Sequence, residues 1–315
     1  KLDAPLKQYL PDFEKTNKAD LTFREMLAHQ ARLQPYIVYW QKTLRKNGSY
    51  KWWTFKQDSS ARYPIRITDD LWMHRNYQRK MYKAIANTPL NEEAGYVYSG
   101  LLFQLLPKII SEQVDQDFER YLKETFYHPL GAYTLTFNPL QHFDKSRLIP
   151  TEVDTLFRKQ PVRGTVHDEA AAMWGGVSSN AGLFSNINDL AKLAQLYLNE
   201  GRYGGERFIA ESAVEEFARC QFCESGNRRG LGFDKPLIEY DAASSYVAES
   251  ASKASFGHSG FTGTFLWIDP AEDLIFIFFS NRVYPDRSHR KLYQLNLRPR
   301  MQQAVYDAIR EVEAP

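Results

Sequence analysis

Apolar positions change period along the chain, and the changes mark its elements. In "LTFREMLAHQ", Thr22 followed by Glu25 three residues on has the pattern of a capping box and predicts a helix from Phe23. "YSGLLFQLLPKIISEQV" is apolar on nearly every face, which predicts a buried helix beginning near Ser99 and kinked at Pro107. "INDLAKLAQLYLNEG" sets Leu190, Leu193, Ala194 and Tyr197 on one face, with Asn188 as cap and Gly201 as stop. The last third shifts to β-rich runs. "FLWIDPAEDLIFIFFSN" reads as a hairpin around an Asp-Pro turn, its second strand (274–279) apolar throughout and so expected to be covered on both faces. "RMQQAVYDAIREVEA" closes as an amphipathic helix offering Ala304, Val305, Ala308 and Ile309 to that sheet. With no repeat and no low-complexity linker, one continuous α+β domain is expected, mainly helical over 1–229, with the sheet and last helix in 230–315.

Composition narrows the partners. The chain has 40 basic and 38 acidic residues, a formal net charge of +2, so nothing points to nucleic acid or a membrane surface, and a small molecule or peptide is the expected ligand. No run approaches the about 18 apolar residues of a membrane span. The opening "KLDAPLKQYLPDF" has neither an initiator Met nor the look of a signal peptide, and a missing upstream segment is expected. Loop aromatics such as "YKWWTF" (50–55) read as anchors that could also stack on a sugar or peptide. Cys220 and Cys223, in "CQFC", have redox or half-zinc spacing, but zinc needs two further ligands. With so few cysteines the chain is not expected to be disulfide-stapled, and the role of the pair stays open.

Three segments could carry chemistry. "GYVYSG" (95–100) puts Tyr98 just before the expected helix start, where the dipole favours a phenolate and the phenol could relay a proton; the plainer reading is packing. "VHDEAAAMWGGVSSNAGLFSNINDL" (166–190) is rich in small residues that allow close approach to a ligand. Its His167, Asp168 and Glu169 look like metal ligands, but three adjacent side chains cannot easily face one ion, so loop shaping and no metal are expected. In "FGHSGFTGTFLWIDP" (256–270), a strand carries His258, Ser259 and Gly260, and the N–H of Phe261 could stabilise an oxyanion. His258 titrates near neutral pH and could orient or protonate a substrate group, or be purely structural.

The order of "LAHQ", "YSG", "GGVSSNAGLFSNINDLAKLAQ" and "FGHSGFTGT" before "WIDP" resembles the serine hydrolases related to class C β-lactamases and penicillin-binding proteins, over essentially the whole chain. "RKQPVRGTVHDEAAAMWGGV", "RRGLGFDKP" and "SNRVYPD" are similar to the serine-hydrolase domain at the C-terminus of bacterial glycoside hydrolase family 3 β-N-acetylglucosaminidase fusion proteins. The resemblance implies a β-lactamase/transpeptidase-like fold, no cofactor, an extracytoplasmic or periplasmic location, and three catalytic elements: Ser-x-x-Lys, Tyr-x-Asn, and Lys-Thr-Gly or His-x-Gly. The second maps onto Tyr98-Ser99-Gly100 and the third onto His258-Ser259-Gly260. Tyr98 and His258 are then the catalytic candidates, and Ser99, Gly100, Ser259, Gly260 and Phe261 the substrate and oxyanion contacts. Gly100 departs from the family's Asn, which makes efficient β-lactam hydrolysis doubtful. The first element would precede Lys1. Ser250-Ala251-Ser252-Lys253 and Ser288-His289-Arg290-Lys291 fit its pattern but fall in the wrong order. The resemblance also draws the sheet's first strands from that upstream region, so a chain without them would expose a sheet edge.

Three functions follow as expectations. The first is an acyl-transfer hydrolase of cell-wall peptides or small esters, with its serine upstream. The second is a non-catalytic module that binds wall fragments for a fused glycosidase. The third, a zinc or redox protein using Cys220 and Cys223, requires bound metal.

Overall fold

In the computed structural model, which describes residues 1–313, the chain divides into two compact units. The first comprises Lys1–Thr125 and Thr134–Ser185, the second Phe126–Tyr133 and the residues from Asn186 on. The division falls earlier than the expected step at 229/230. The reason is that the helix after Asn186 belongs with the sheet: its Ala194 and Tyr197 share an apolar cluster with Phe256 and Ile268.

In the first unit, helix α1 (Phe23–Leu27) begins where the capping pattern predicts. The Thr22 hydroxyl accepts the Glu25 N–H, and the Glu25 carboxylate accepts the Thr22 N–H at 2.8 Å. Thr22→Ala should therefore lower stability by about 1 kcal/mol. The expected reading is a lower urea midpoint at unchanged slope; an unmoved midpoint would show that this cap contributes nothing.

Strands β1 (Phe55–Lys56), β2 (Ile65–Thr68) and β3 (Leu71–Met73) form a small antiparallel sheet with β3 central. Helix α2 (Tyr77–Asn87) buries Tyr77, Met81 and Ile85, spaced four apart on one face. The long helix expected from Ser99 is shorter: a loop runs into a 3-10 turn at Phe103–Leu105 and then α3 (Leu106–Val114), with Pro107 in its first turn. Proline has no N–H to offer, and first-turn N–H groups have no intrahelical acceptor, so Pro107 opens the helix instead of kinking it. Helix α4 (Phe118–Leu122), the ribbon β4 (Pro150–Asp154) with β5 (Gln160–Arg163), and α5 (Glu169–Met173) complete the unit. Its core joins Phe13, Ile67, Met73, Met81, Leu105 and Phe157. Of the "YKWWTF" aromatics, Tyr50 donates to the Phe157 carbonyl and Phe55 is buried, whereas Trp52 is 72% exposed.

The second unit opens with α6 (Ile187–Leu198), capped by Asn186 and not by Asn188. Asn186 has the extended backbone a cap needs, and its Oδ1 accepts the Asp189 N–H at 2.8 Å. A short hairpin, β6 (Arg202–Tyr203) and β7 (Glu206–Arg207), leads to α7 (Glu211–Ala218). The main sheet is antiparallel, with β9 (Phe265–Asp269) between β8 (Phe256–Ser259) and β10 (Leu274–Phe278). One apolar cluster gathers Ala194, Phe256 and Ile268, and another gathers Val247, Phe265 and Trp267.

Strand β10, expected to be covered on both faces, is instead an edge strand and half-buried along its length. Helices α8 (Lys291–Gln294) and α9 (Leu297–Glu313) end the chain. The buried stripe of α9 is Arg298, Gln302 and Tyr306, with Val305 and Ile309 half-buried, while the expected Ala304 and Ala308 face solvent. Polar tips decide this stripe: Gln302 accepts the Ala248 N–H, and the Tyr306 hydroxyl donates to Asp269 at 2.7 Å.

Cys220 and Cys223 are disulfide-bonded, which corrects the expectation of an unstapled chain. The turn between them brings their Cα atoms to 5.9 Å, within disulfide reach. Among the described residues, no group of His, Cys, Asp or Glu is arranged to hold a metal ion, and no helix is long and apolar enough to cross a membrane.

Candidate active site

Residues 95–100 run as an extended segment over His29, which α1 delivers two residues past its end. His29 is buried in a left-handed backbone conformation (φ 58°). Its carbonyl accepts the Val97 N–H, and its Nδ1 accepts the Ser99 N–H at 3.2 Å. The Tyr98 ring lies over the imidazole, centroids 4.4 Å apart, with 47% of the residue exposed. Tyr98 is thus held by an aromatic contact while remaining reachable by a substrate. No helix starts behind it, so the dipole argument for a phenolate does not apply.

Ser99, expected to touch substrate, is buried: its hydroxyl donates to the Gln34 carbonyl at 2.7 Å and accepts the Leu101 N–H. Its role is to pin the segment. A surface cavity of about 570 Å³, lined by Pro35, Asn91, Glu92, Glu93, Tyr96 and Val97 among others, adjoins the same segment.

The small-residue loop lies in the same unit. Asp168 caps α5, accepting the Ala171 N–H at 2.7 Å, and burial pushes its carboxyl up despite that bond. His167 pairs with Glu152 at 2.6 Å; burial lowers its pKa, against the pull of Glu152. The buried Arg158 donates to the carbonyls of Val166 and His167, tying the loop down. Shaping the loop is what these side chains do. Gly176, at φ +83°, has the Asn138 carboxamide where a Cβ would sit, so only glycine fits. The loop carries Asn180 to Gly100: a Cβ built on Gly100 would stand 3.5 Å from the Asn180 Cβ.

In the second unit, β8 holds His258 between two partners. Its Nδ1 faces the Ser259 carbonyl at 2.9 Å, and its Nε2 faces Nη1 of Arg229 at 3.0 Å. A carbonyl can only accept and a guanidinium only donate, so the ring carries its proton on Nδ1 and is neutral. Burial, then the Arg229 charge, lower its pKa below the ordinary histidine value. In this arrangement Nε2 is an acceptor turned to Arg229, which suits the orienting or structural reading of His258 better than the proton-donating one.

Arg229 in turn meets the fully buried Asp234 at 3.2 Å, which Arg228 grips at 2.8 and 2.9 Å. Replacing Arg229 by Gln should raise the His258 pKa, since a lowering charge goes while Asp234 stays. The histidine ¹⁵N shifts against pH would show it; an unmoved titration would mean that Arg229 does not set the ring's state.

Beyond the strand, Gly260 uses its N–H on the Thr264 carbonyl, closing the turn. Phe261 sits at its tip, 58% exposed, with its ring 4.6 Å from the Arg282 guanidinium. Both Ser-x-x-Lys matches are structural. The Ser250 hydroxyl accepts from Gln303 and Arg310, and Ser288 lies in an exposed turn with its N–H on Asp286.

Tyr98, Ser99 and Gly100 therefore cluster in one unit, and His258, Ser259, Gly260 and Phe261 in the other. Sequence reasoning did not single out His29, Asn180, Arg229 or Asp234. Their only trace is that they lie inside quoted segments, "LAHQ", "GGVSSNAGLF" and "RRGLGFDKP".

A protein from Escherichia coli K12 described as "Putative D-alanyl-D-alanine carboxypeptidase" is 33% identical over 213 residues, 63% of this chain and 48% of that protein. A Salmonella newport protein of the same description is 31% identical over 224 residues, 66% of this chain and 50% of its own. The chain thus spans about half the length of the curated relatives it matches.

Among solved structures, a simvastatin synthase mutant from Aspergillus terreus superposes with a TM-score of 0.62 at 15% identity, over 99% of this chain and 78% of its own. A penicillin-binding protein homologue from Caulobacter crescentus does so with 0.55 at 16%, over 89% and 70%. These likenesses establish the fold. The Beta-lactamase family matches residues 1–298, and the chain belongs to that family of serine hydrolases.

Proposed function

We propose that the protein carrying this chain is an acyl-transfer hydrolase that cleaves an amide or ester bond in cell-wall peptides ending in D-amino acids, outside the cytoplasm. The observation that carries the reading is Tyr98: a half-exposed phenol, braced on a buried imidazole, in the segment that corresponds to the family's Tyr-x-Asn element. The names of the curated relatives support the substrate class.

The nucleophilic serine, with its lysine, is supplied by sequence outside this chain, because both internal Ser-x-x-Lys matches are committed elsewhere. Its Oγ adds to the carbonyl carbon while its proton passes through the lysine and Tyr98 to the departing amine, so that the C–N bond breaks and an acyl-serine ester remains. Water then splits the ester, releasing the acid and restoring the hydroxyl. By the family resemblance, the oxyanion role falls to the Phe261 N–H together with the serine's own N–H.

A second reading, a wall-fragment-binding module attached to a family 3 glycosidase, is favoured by Gly100 in place of the family's Asn. Intact mass of the full-length protein after a fluorophosphonate probe separates the two. One adduct, with release of D-alanine from acetyl-D-alanyl-D-alanine, supports the hydrolase. No adduct and no turnover, with the dipeptide still bound, overturns it in favour of the module.

A further inference from the structure

We propose that Asn180 presents the substrate-facing carboxamide beside Tyr98, in the space that Gly100 leaves open, and that it pairs with a peptide bond of the ligand. The two positions share one volume. A Cβ on residue 100 would stand 3.5 Å from the Asn180 Cβ, 3.6 Å from its amide nitrogen and 3.7 Å from its Cγ. A methyl group fits there, but a longer polar side chain would run into the carboxamide.

Asn180 is held, not loose. Its Oδ1 accepts from the hydroxyl of buried Ser178 at 2.6 Å, and its amide donates to Asp168, itself fixed at the start of α5. Gly176 and Gly182, both at positive φ, bring the loop backbone in close: a Cβ on Gly182 would strike the Gly176 carbonyl.

A carboxamide has two N–H donors and two lone pairs on oxygen, and these two bonds use one of each. The N–H and lone pair that remain match the C=O and N–H of a secondary amide. Asn180 is half-buried, so a ligand can reach them. This deepens the proposed function, on which it rests for the choice of a peptide ligand.

The test is a double-mutant cycle in the full-length protein, with Asn180→Gly, Gly100→Asn and both together, read by turnover of acetyl-D-alanyl-D-alanine and by its Kd from NMR titration. Each single substitution is expected to lose about tenfold in affinity and in kcat/KM, the first by removing the amide and the second by crowding it. The pair should return to within about threefold of the parent, because the amide is restored from the other side.

Turnover and Kd unchanged in Asn180→Gly would overturn the inference and leave the hydrolase standing. Losses that merely add in the double variant would also overturn it, since a structural asparagine gives no recovery. Recovery in Kd from a parent that never turns the dipeptide over would uphold the inference and sink the hydrolase. Absence of both binding and turnover in the parent would overturn both.

Discussion

Asp234→Ala is expected to destabilise the second unit by about 3–5 kcal/mol, because it strands buried positive charge. The Asp234 carboxylate is wholly buried and accepts from Nε and Nη2 of Arg228, from Arg229, from the Tyr246 hydroxyl and from the Lys235 N–H. Without it, the buried Arg229 keeps its charge beside a neutral imidazole that cannot balance it. Asp234→Asn preserves the shape but not the charge, and should fall between parent and alanine.

The pH dependence gives an independent check. Burial alone would raise the Asp234 pKa, but the hydrogen bonds and charges of Arg228 and Arg229, with Tyr246, hold it below the ordinary carboxylate value. A depressed folded value means that the unfolded chain binds the proton first as pH falls. The stabilisation is therefore complete above the unfolded aspartate pKa of about 3.9 and drains away as pH drops through the folded value. Urea unfolding, followed by amide exchange in β9, should show this acid slope in the parent and a shallower one in Asp234→Ala. A loss under about 1 kcal/mol with an unchanged slope would mean that the guanidiniums find other partners.

The cluster also bears on the site. The backbones of Asp234 and Gly257 exchange N–H···O bonds at 2.8 and 3.0 Å, so the carboxylate that orients Arg229 is stitched to the strand whose His258 receives Arg229. This chain of contacts was invisible to sequence reading, because it joins residues 228, 229, 234 and 258 across loops with no period. What could be read was local. Thr22 and Glu25 fold back on each other within one turn, and the turn after Asp269 joins two β-rich runs that neighbour each other in sequence.

Local signals mislead where two of them compete. Asn186 and Asn188 are both adequate caps by type, and only the extended backbone at 186 decides between them. Pro107 fits either a kink or a first turn, and an apolar run such as the one from Ser99 has no face from which to choose. For α9, apolar pattern pointed to alanines, whereas hydrogen bonds from Gln302 and Tyr306 fix the buried stripe. The disulfide stayed unread because Cys-x-x-Cys spacing suits bonded, reduced and metal-bound pairs alike. For the candidate site, the resemblance names Tyr98 and His258, whereas their contacts with His29 and Arg229 come from packing that no motif encodes.

Gly257→Ala should cost about 3 kcal/mol and displace His258. The backbone angle at Gly257 suits any residue, so the obstacle is space. An added Cβ would land on the Leu266 carbonyl oxygen, 2.5 Å from the Trp267 ring and 2.8 Å from its Cα. Trp267 cannot yield: it is fully buried, stacked at 5.6 Å on Phe265, and its indole N–H donates to Ser255. Strand β8 must then lift from β9, where Gly257 pairs with Trp267 and His258 with Leu266. The Arg229 bond to His258 breaks with the register.

Gly260→Ala is the matched control, because its Cβ would meet only the Thr264 hydroxyl, which can rotate away. A lower urea midpoint and an altered His258 ¹⁵N pattern in Gly257→Ala, with little change in Gly260→Ala, is the expected result. Equal midpoints for the two would mean that β8 tolerates a side chain against Trp267, and that Gly257 is not needed to hold His258 in register.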